Sequence, residues 1–175
     1  MKISTKTMAI GGIFAAMIAI GTMVIRIPIP TGGYIHIGDS LVYLSGILLG
    51  PLLGGVVSAI GSGIADLFGY IDYAPATVLI KFLDAFMTAS IFYALQKRFK
   101  GTIGTVFAYI VGVTFGGMIM IGGYFAYEVM LKGFAYALAS VNFNLAQAIG
   151  GAIIGLPVLV ALEKTKYFSR LNKML

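Results

Sequence analysis

Three stretches of this chain, Thr7 to Ile25, Thr102 to Tyr124 and Val141 to Leu162, carry no charged residue at all. Each is about as long as the ~20 residues a helix needs to cross a bilayer, and few folds accept such segments in water. The rest of the sequence agrees. Hydrophobic residues make up 59% of the chain, charged residues 10%, and mean hydropathy is +1.00. A soluble domain of 175 residues needs a larger polar surface, so lipid is the solvent for most of this one. The 24 glycines and the absence of tryptophan fit helices that approach closely in a membrane. With no cysteine and one histidine, disulfides and a protein-bound metal site are not expected, nor is a cofactor.

The basic residues set the expected topology. The formal charge of +6 gathers in Lys2 and Lys6, in Lys97-Arg98-Phe99-Lys100, and in Lys164, Lys166, Arg170 and Lys173. That distribution points to lipid headgroups and orientation, not to nucleic acid. The first apolar run lacks a small-residue cleavage site and is read as a span, not a cleaved signal. Lys and Arg collect on the cytoplasmic side, so all three clusters belong inside. This requires four helices before Lys97. One comes from Thr7 to Ile25 and one from about Ala76 to Leu95. The stretch Gly38 to Gly69 must then be a pair of short helices joined at Gly50-Pro51. The expectation for residues 1–175 is a single all-α integral membrane domain, a bundle of about six transmembrane helices with both ends inside. Ile27-Pro28-Ile29-Pro30 forces extended backbone after the first helix. Tyr124 to Ser140, with Glu128 and Lys132, reads as an apolar outer loop folded against the bundle. No internal repeat of the kind built into many secondary transporters is apparent.

Polar residues at membrane depth are the candidates for function, because burying them in hydrocarbon is costly. Lys81 and Asp84 lie three apart on one helix face and can form an ion pair. Asn144 and Gln147 share a face of the last helix and offer both donors and acceptors to a neutral ligand, or to neighbouring helices. His36 and Asp39 stand where the proline-containing loop enters the second helix. There Asp39 or Ser40 can cap the helix, or His36 can contact a ligand beneath the loop. Asp66 and Asp72 read as interfacial or capping groups. Tyr34, Tyr43, Tyr70, Tyr73, Tyr124 and Tyr127 gather near the expected outer side, as an interfacial belt or as an aromatic cradle. Ala15 and Ala19 form a small-xxx-small pair, extended by Gly11 and Gly12, for close helix approach inside the bundle or with a partner. Gly54, Ser58 and Ser62 form a similar row, read as internal packing. No nucleophile elbow, zincin or phosphate-loop motif is present, so the chain is not expected to be an enzyme.

In order along the chain, Tyr34-Ile35-His36-Ile37-Gly38-Asp39, Leu48-Leu49-Gly50-Pro51, Gly61-Ser62-Gly63-Ile64-Ala65-Asp66-Leu67, Tyr73-Ala74-Pro75-Ala76-Thr77 and Ile80-Lys81 resemble the substrate-binding S components of energy-coupling factor (ECF) transporters. The resemblance extends from the alanine pair of the first helix to the Asn-x-x-Gln of the last. It implies six helices with both ends inside, in a prokaryotic plasma membrane, and high-affinity binding of a water-soluble vitamin or precursor near the outer face. The partners it implies are a transmembrane T component, docked through Ala15 and Ala19, and two cytoplasmic ATPases. It also implies that the S component topples in the membrane to carry its ligand inward. Substrate contacts are expected from His36, Asp39, Tyr43, Lys81, Asp84, Glu128, Asn144 and Gln147. Among the family's ligands, hydroxymethylpyrimidine or pyridoxine suits tyrosines and amides best, with pantothenate and riboflavin also in view. Two other readings stand beside this one: a self-sufficient ion-coupled carrier using Lys81, Asp84 and Glu128, and a membrane scaffold with no small ligand.

Overall fold

The computed structural model of the chain describes residues 5–30 and 34–165. Thr31, Gly32 and Gly33, and the basic residues Lys2, Lys166, Arg170 and Lys173, lie outside the described residues. In chain order the elements are α1 (Thr5–Val24), β1 (Arg26–Pro28), β2 (Tyr34–His36), α2 (Gly38–Leu49), α3 (Pro51–Leu67), α4 (Ala74–Arg98), α5 (Gly101–Lys132) and α6 (Phe134–Lys164). By length and composition α1, α4, α5 and α6 are able to cross a membrane. The 12 residues of α2 and 17 of α3 rise only about 18 and 26 Å, short of the ~30 Å hydrocarbon core. Large apolar side chains cover the outside of the bundle, among them Met8, Ile13, Ile103, Met118 and Ile153.

The break between α2 and α3 falls at Gly50-Pro51, as expected. Gly50 takes φ 87° and ψ 164°, a conformation open essentially to glycine alone. Pro51 then opens α3 at a position whose N–H no helix bond needs. The two helices meet backbone to backbone. A Cβ at Gly54 would stand 2.4 Å from Gly46 Cα and 2.5 Å from Ser45 O. Ser45 and Ser58 join their hydroxyls across this seam at 2.7 Å. The row Gly54, Ser58 and Ser62 is buried within the bundle.

The expected outer loop from Tyr124 to Ser140 is instead helical. α5 continues to Lys132, and α6 starts two residues later. No proline interrupts this stretch, and an apolar backbone packed on its neighbour is best satisfied by its own helix bonds. A single residue, Gly133 at φ 91° and ψ 164°, reverses the chain. At about 48 Å, α5 is longer than any bilayer requires, so it and α6 extend past the short helices and wall in one end of the bundle.

The proline-bearing segment after α1 forms an antiparallel hairpin, with Arg26 opposite His36, Ile27 opposite Ile35 and Pro28 opposite Tyr34. Arg26 ties it to the bundle, donating to Ala65 O at 2.6 Å, Phe68 O at 3.0 Å and Thr22 O at 3.2 Å. A cation over the free carbonyls at the end of α3 also complements that helix's dipole.

Candidate functional site

The hairpin, the C-terminal ends of α3 and α5 and the N-terminal parts of α4 and α6 meet at one end of the bundle. The basic run Lys97 to Lys100 and Lys164 lie at the other. At the meeting point is a cavity of about 450 Å³, including its mouth. Ile29, Tyr34 and His36 come from the hairpin, Asp66 from α3, and Tyr70 and Tyr73 from the α3–α4 turn. Thr77 of α4, Tyr124 and Glu128 of α5, and Asn144 and Gln147 of α6 complete the wall.

Most polar groups of the wall are held by one another. Asp66 accepts from Tyr34 and Thr77, both at 2.5 Å. Thr77 in turn pairs with the Tyr124 hydroxyl at 3.0 Å. The Tyr73 hydroxyl lies 3.3 Å from both Glu128 Oε1 and the Tyr136 hydroxyl. The rings of Tyr34 and Tyr70 stand 4.3 Å apart, centroid to centroid. Burial, with the Asp66 carboxylate adding to it, raises the Tyr34 phenol above its ordinary value, so Tyr34 is a hydrogen-bond donor here.

Under this cavity lies an ionic layer with no solvent exposure. Lys81 Nζ contacts Asp39 Oδ1 at 2.5 Å and Asp84 Oδ2 at 3.7 Å. Gln147 joins the layer to the cavity. Its Nε2 donates to Asp39 Oδ2 at 2.9 Å, and its Oε1 accepts from the His36 backbone N–H at 3.1 Å. His36 Nδ1 accepts from Gly38 N at 3.1 Å. The imidazole is thus neutral, with its proton on Nε2. Burial holds its pKa down at about 4, with Asp39 opposing and the charges of Lys81 and Arg26 assisting.

Of the residues expected from sequence, His36, Glu128, Asn144 and Gln147 line the cavity. Asp39, Lys81 and Asp84 lie beneath it. Tyr43 is fully buried in the core among Leu44, Ile47, Phe92 and Tyr109, because its position in α2 turns it inward. Asp39 makes no cap. The main partner of Lys81 is Asp39, not Asp84, which approaches less closely. Asp66 is buried and belongs to the cavity wall, not to a helix cap, while Asp72 sits on the exposed turn. Ile29 and Thr77 are wall residues to which the sequence reading gave no site role, and Asp66 was read there as interfacial or capping. The signal was the pair of carboxylate and hydroxyl flanking the tyrosine-rich turn from Tyr70 to Tyr73. Of the suspected cradle, Tyr34, Tyr70, Tyr73 and Tyr124 line the cavity. Tyr127 instead donates to the Asp72 carbonyl. Ala19 is buried and Ala15 half-buried, and Ala15 O would lie 2.6 Å from a Cβ at Gly61 of α3. The small residues that α1 leaves exposed are Ala9, Gly12 and Ala16. Among the described residues no group of His, Asp and Glu is disposed to hold a metal ion.

A helical bundle with membrane-length spans and one polar, tyrosine-walled cavity at its end defines a small-molecule-binding membrane protein. The chain belongs to the family described as the ECF-type riboflavin transporter, S component, whose model matches residues 2–164. It is therefore a transporter S component, the subunit that binds substrate. An uncharacterized protein of Pyrococcus woesei is 34% identical over 139 residues, covering 79% of this chain and 88% of that protein. A solved S component of a bacterial ECF transporter superposes with TM-score 0.68 at 16% identity, over 91% of this chain and 96% of the other. At that identity the likeness establishes the fold.

Proposed function

We propose that this chain captures a water-soluble vitamin or vitamin precursor with a flat heteroaromatic ring at the outer face of a prokaryotic plasma membrane. The observation that carries the reading is the cavity, walled by four tyrosines, two amides and two carboxylates. It lies at the end of the bundle opposite Lys97 to Lys100, the end that the positive-inside rule puts outside. In this reading α2 and α3 are short crossings, shielded by their longer neighbours, and both termini are inside. Aromatic faces hold a ring, and Asn144 and Gln147 hydrogen-bond its substituents.

In this reading transport draws on a T component and two ATPase subunits, the partners that membership of an S-component family implies. The exposed Ala9, Gly12 and Ala16 of α1 offer the T component a smooth face, while Ala15 and Ala19, half-buried and buried, are covered by the bundle itself. Hydroxymethylpyrimidine or pyridoxine is the ligand best matched to tyrosines and amides. Riboflavin is the second reading, favoured by the description of the matching family.

The test is mass spectrometry of small molecules released from the purified, denatured protein, followed by titration of those vitamins. A stoichiometric heteroaromatic vitamin, with uptake only when the ATPase subunits are present, is expected. An empty protein that binds none of them refutes the reading in favour of a scaffold. Gradient-driven uptake in liposomes without ATP refutes it in favour of a carrier.

A further inference from the structure

The charges of the wall are one-sided. Among the described residues the cavity is lined by two carboxylates, Asp66 and Glu128, and by no Lys or Arg. Three cations stand beside the wall tyrosines, and each has other partners. Arg26 is spent on backbone carbonyls, with its guanidinium carbon 4.7 Å from the centroid of the Tyr34 ring. Lys81 is locked against Asp39, 5.8 Å from the Tyr124 ring centre. Lys132 lies over Tyr136 and Tyr73, at 4.7 and 5.3 Å. The aromatic rings present their negative faces to these cations.

Glu128 gives a second, independent sign. Glu128 is 5% exposed, and its Oε1 accepts from the Tyr73 hydroxyl. Its Oε2 is buried without a hydrogen-bond partner. The Ser140 hydroxyl is within hydrogen-bonding reach of the Glu128 carboxylate, but its one proton goes to Tyr136 O at 3.2 Å. A buried carboxylate oxygen left unmet is costly, and the residue that carries it lines the cavity. Asp66 accepts two hydrogen bonds, and a carboxylate has about four acceptor positions, so it too retains capacity. Both groups accept, and neither meets a donor from the protein at every site.

We infer that the cavity selects neutral or cationic heteroaromatic amines, whose N–H groups donate to Glu128 and Asp66, and that it rejects phosphorylated or carboxylate-bearing analogues. This rests on the proposed binding function and adds the polarity of the ligand. An anionic substituent entering here meets two carboxylates and no lining cation. An amino group, or a protonated ring nitrogen, meets acceptors already in place while its ring lies among the tyrosines.

The experiment is calorimetric titration of the full chain in detergent with three probes: a 4-aminopyrimidine alcohol, its 4-oxo counterpart and its phosphate ester. Riboflavin is titrated in parallel. The amine is expected to bind tightest, with the oxo compound weaker by about tenfold to a hundredfold and the ester weaker still. In Glu128→Gln and Asp66→Asn, which keep shape, this preference for the amine narrows by about tenfold or more in at least one variant. An ester that binds as well as the alcohol in the unmodified protein overturns the inference, with no variant needed. So does a preference unchanged in both variants. Riboflavin binding equally to all three proteins, with no binding of the aminopyrimidine, overturns the inference while leaving the vitamin-binding function intact. No binding by any probe removes both.

Discussion

Replacing Lys81 by methionine shortens the side chain by one atom and keeps most of its packing, but removes its charge. In the native protein that charge faces Asp39 at 2.5 Å and Asp84 at 3.7 Å, all three groups without solvent exposure. The variant retains the Gln147 hydrogen bond to Asp39, so Asp39 loses one of two donors. Asp84 has no hydrogen-bond partner even in the native protein and loses its counter-charge altogether. Breaking a buried ion pair from one side costs about 3–5 kcal/mol, because the abandoned charge stays buried. In a chain of this size ~1 kcal/mol shifts the melting temperature by about 2–4 °C. Lys81→Met is therefore expected to melt ~6–20 °C lower in detergent. The double variant Asp39→Asn with Lys81→Met removes the closer charge as well and is expected to recover a good part of the loss. Thermal unfolding of the two single variants and the double, followed by circular dichroism, measures the coupling directly. A loss under ~1 kcal/mol for Lys81→Met, or strictly additive effects of the two substitutions, would refute the account of the ionic layer as a mutually dependent unit.

Other consequences can be checked separately. Gln147→Leu cuts the hairpin's link to α6 and is expected to speed hydrogen exchange at the His36 amide by about tenfold, corresponding to roughly one lost hydrogen bond, and to weaken ligand binding. Since His36 is neutral and its pKa is lowered to about 4, the unfolded chain binds more protons than the folded one between the unfolded value of ~6.5 and that value. Stability should thus fall as pH drops through this window, by up to about 3 kcal/mol, and His36→Asn should flatten the profile when unfolding is measured from pH 7 to pH 4. Gly54→Ala places a methyl against the backbone of α2 and is expected to cost several kcal/mol, on the order of ~3. Gly133→Ala meets no neighbouring atom and pays only for its backbone angles, about 1–3 kcal/mol; equal melting losses for many exposed glycines would contradict that distinction.

What the sequence made legible was whatever depends on composition and on single residues with strong local rules. Gly50-Pro51 marked where α2 and α3 could part, and the number of spans required by the basic clusters decided for two helices over one kinked one. The alternating prolines marked the extended hairpin. Among the described residues, Lys97 to Lys100 marked the end of α4 and Lys164 the end of α6. The helical extension of α5 and α6 was hidden, because an apolar stretch with one Glu and one Lys looks the same whether coiled against a bundle or continued as helix. Site residues divided along similar lines. His36, Asn144 and Gln147 stood out because polar groups in apolar helices must point somewhere protected. Tyr43 could not be separated from the other tyrosines, since which face of α2 is inside depends on tertiary packing. Asp39 and Lys81 are 42 residues apart, and nothing local signals their pairing. The nearer Asp84 drew attention for the opposite reason, its i, i+3 spacing. Asp66 was obscured by its place at a helix end, where capping is the commoner use of an aspartate.

The tyrosine wall has an optical consequence. The chain has ten tyrosines and no tryptophan, so its intrinsic ultraviolet emission comes from phenols alone, and four of the ten border the cavity. A conjugated ring settling among Tyr34, Tyr70, Tyr73 and Tyr124 would quench or accept that emission, with no tryptophan signal to mask the change. Occupancy of this protein can be followed without a label.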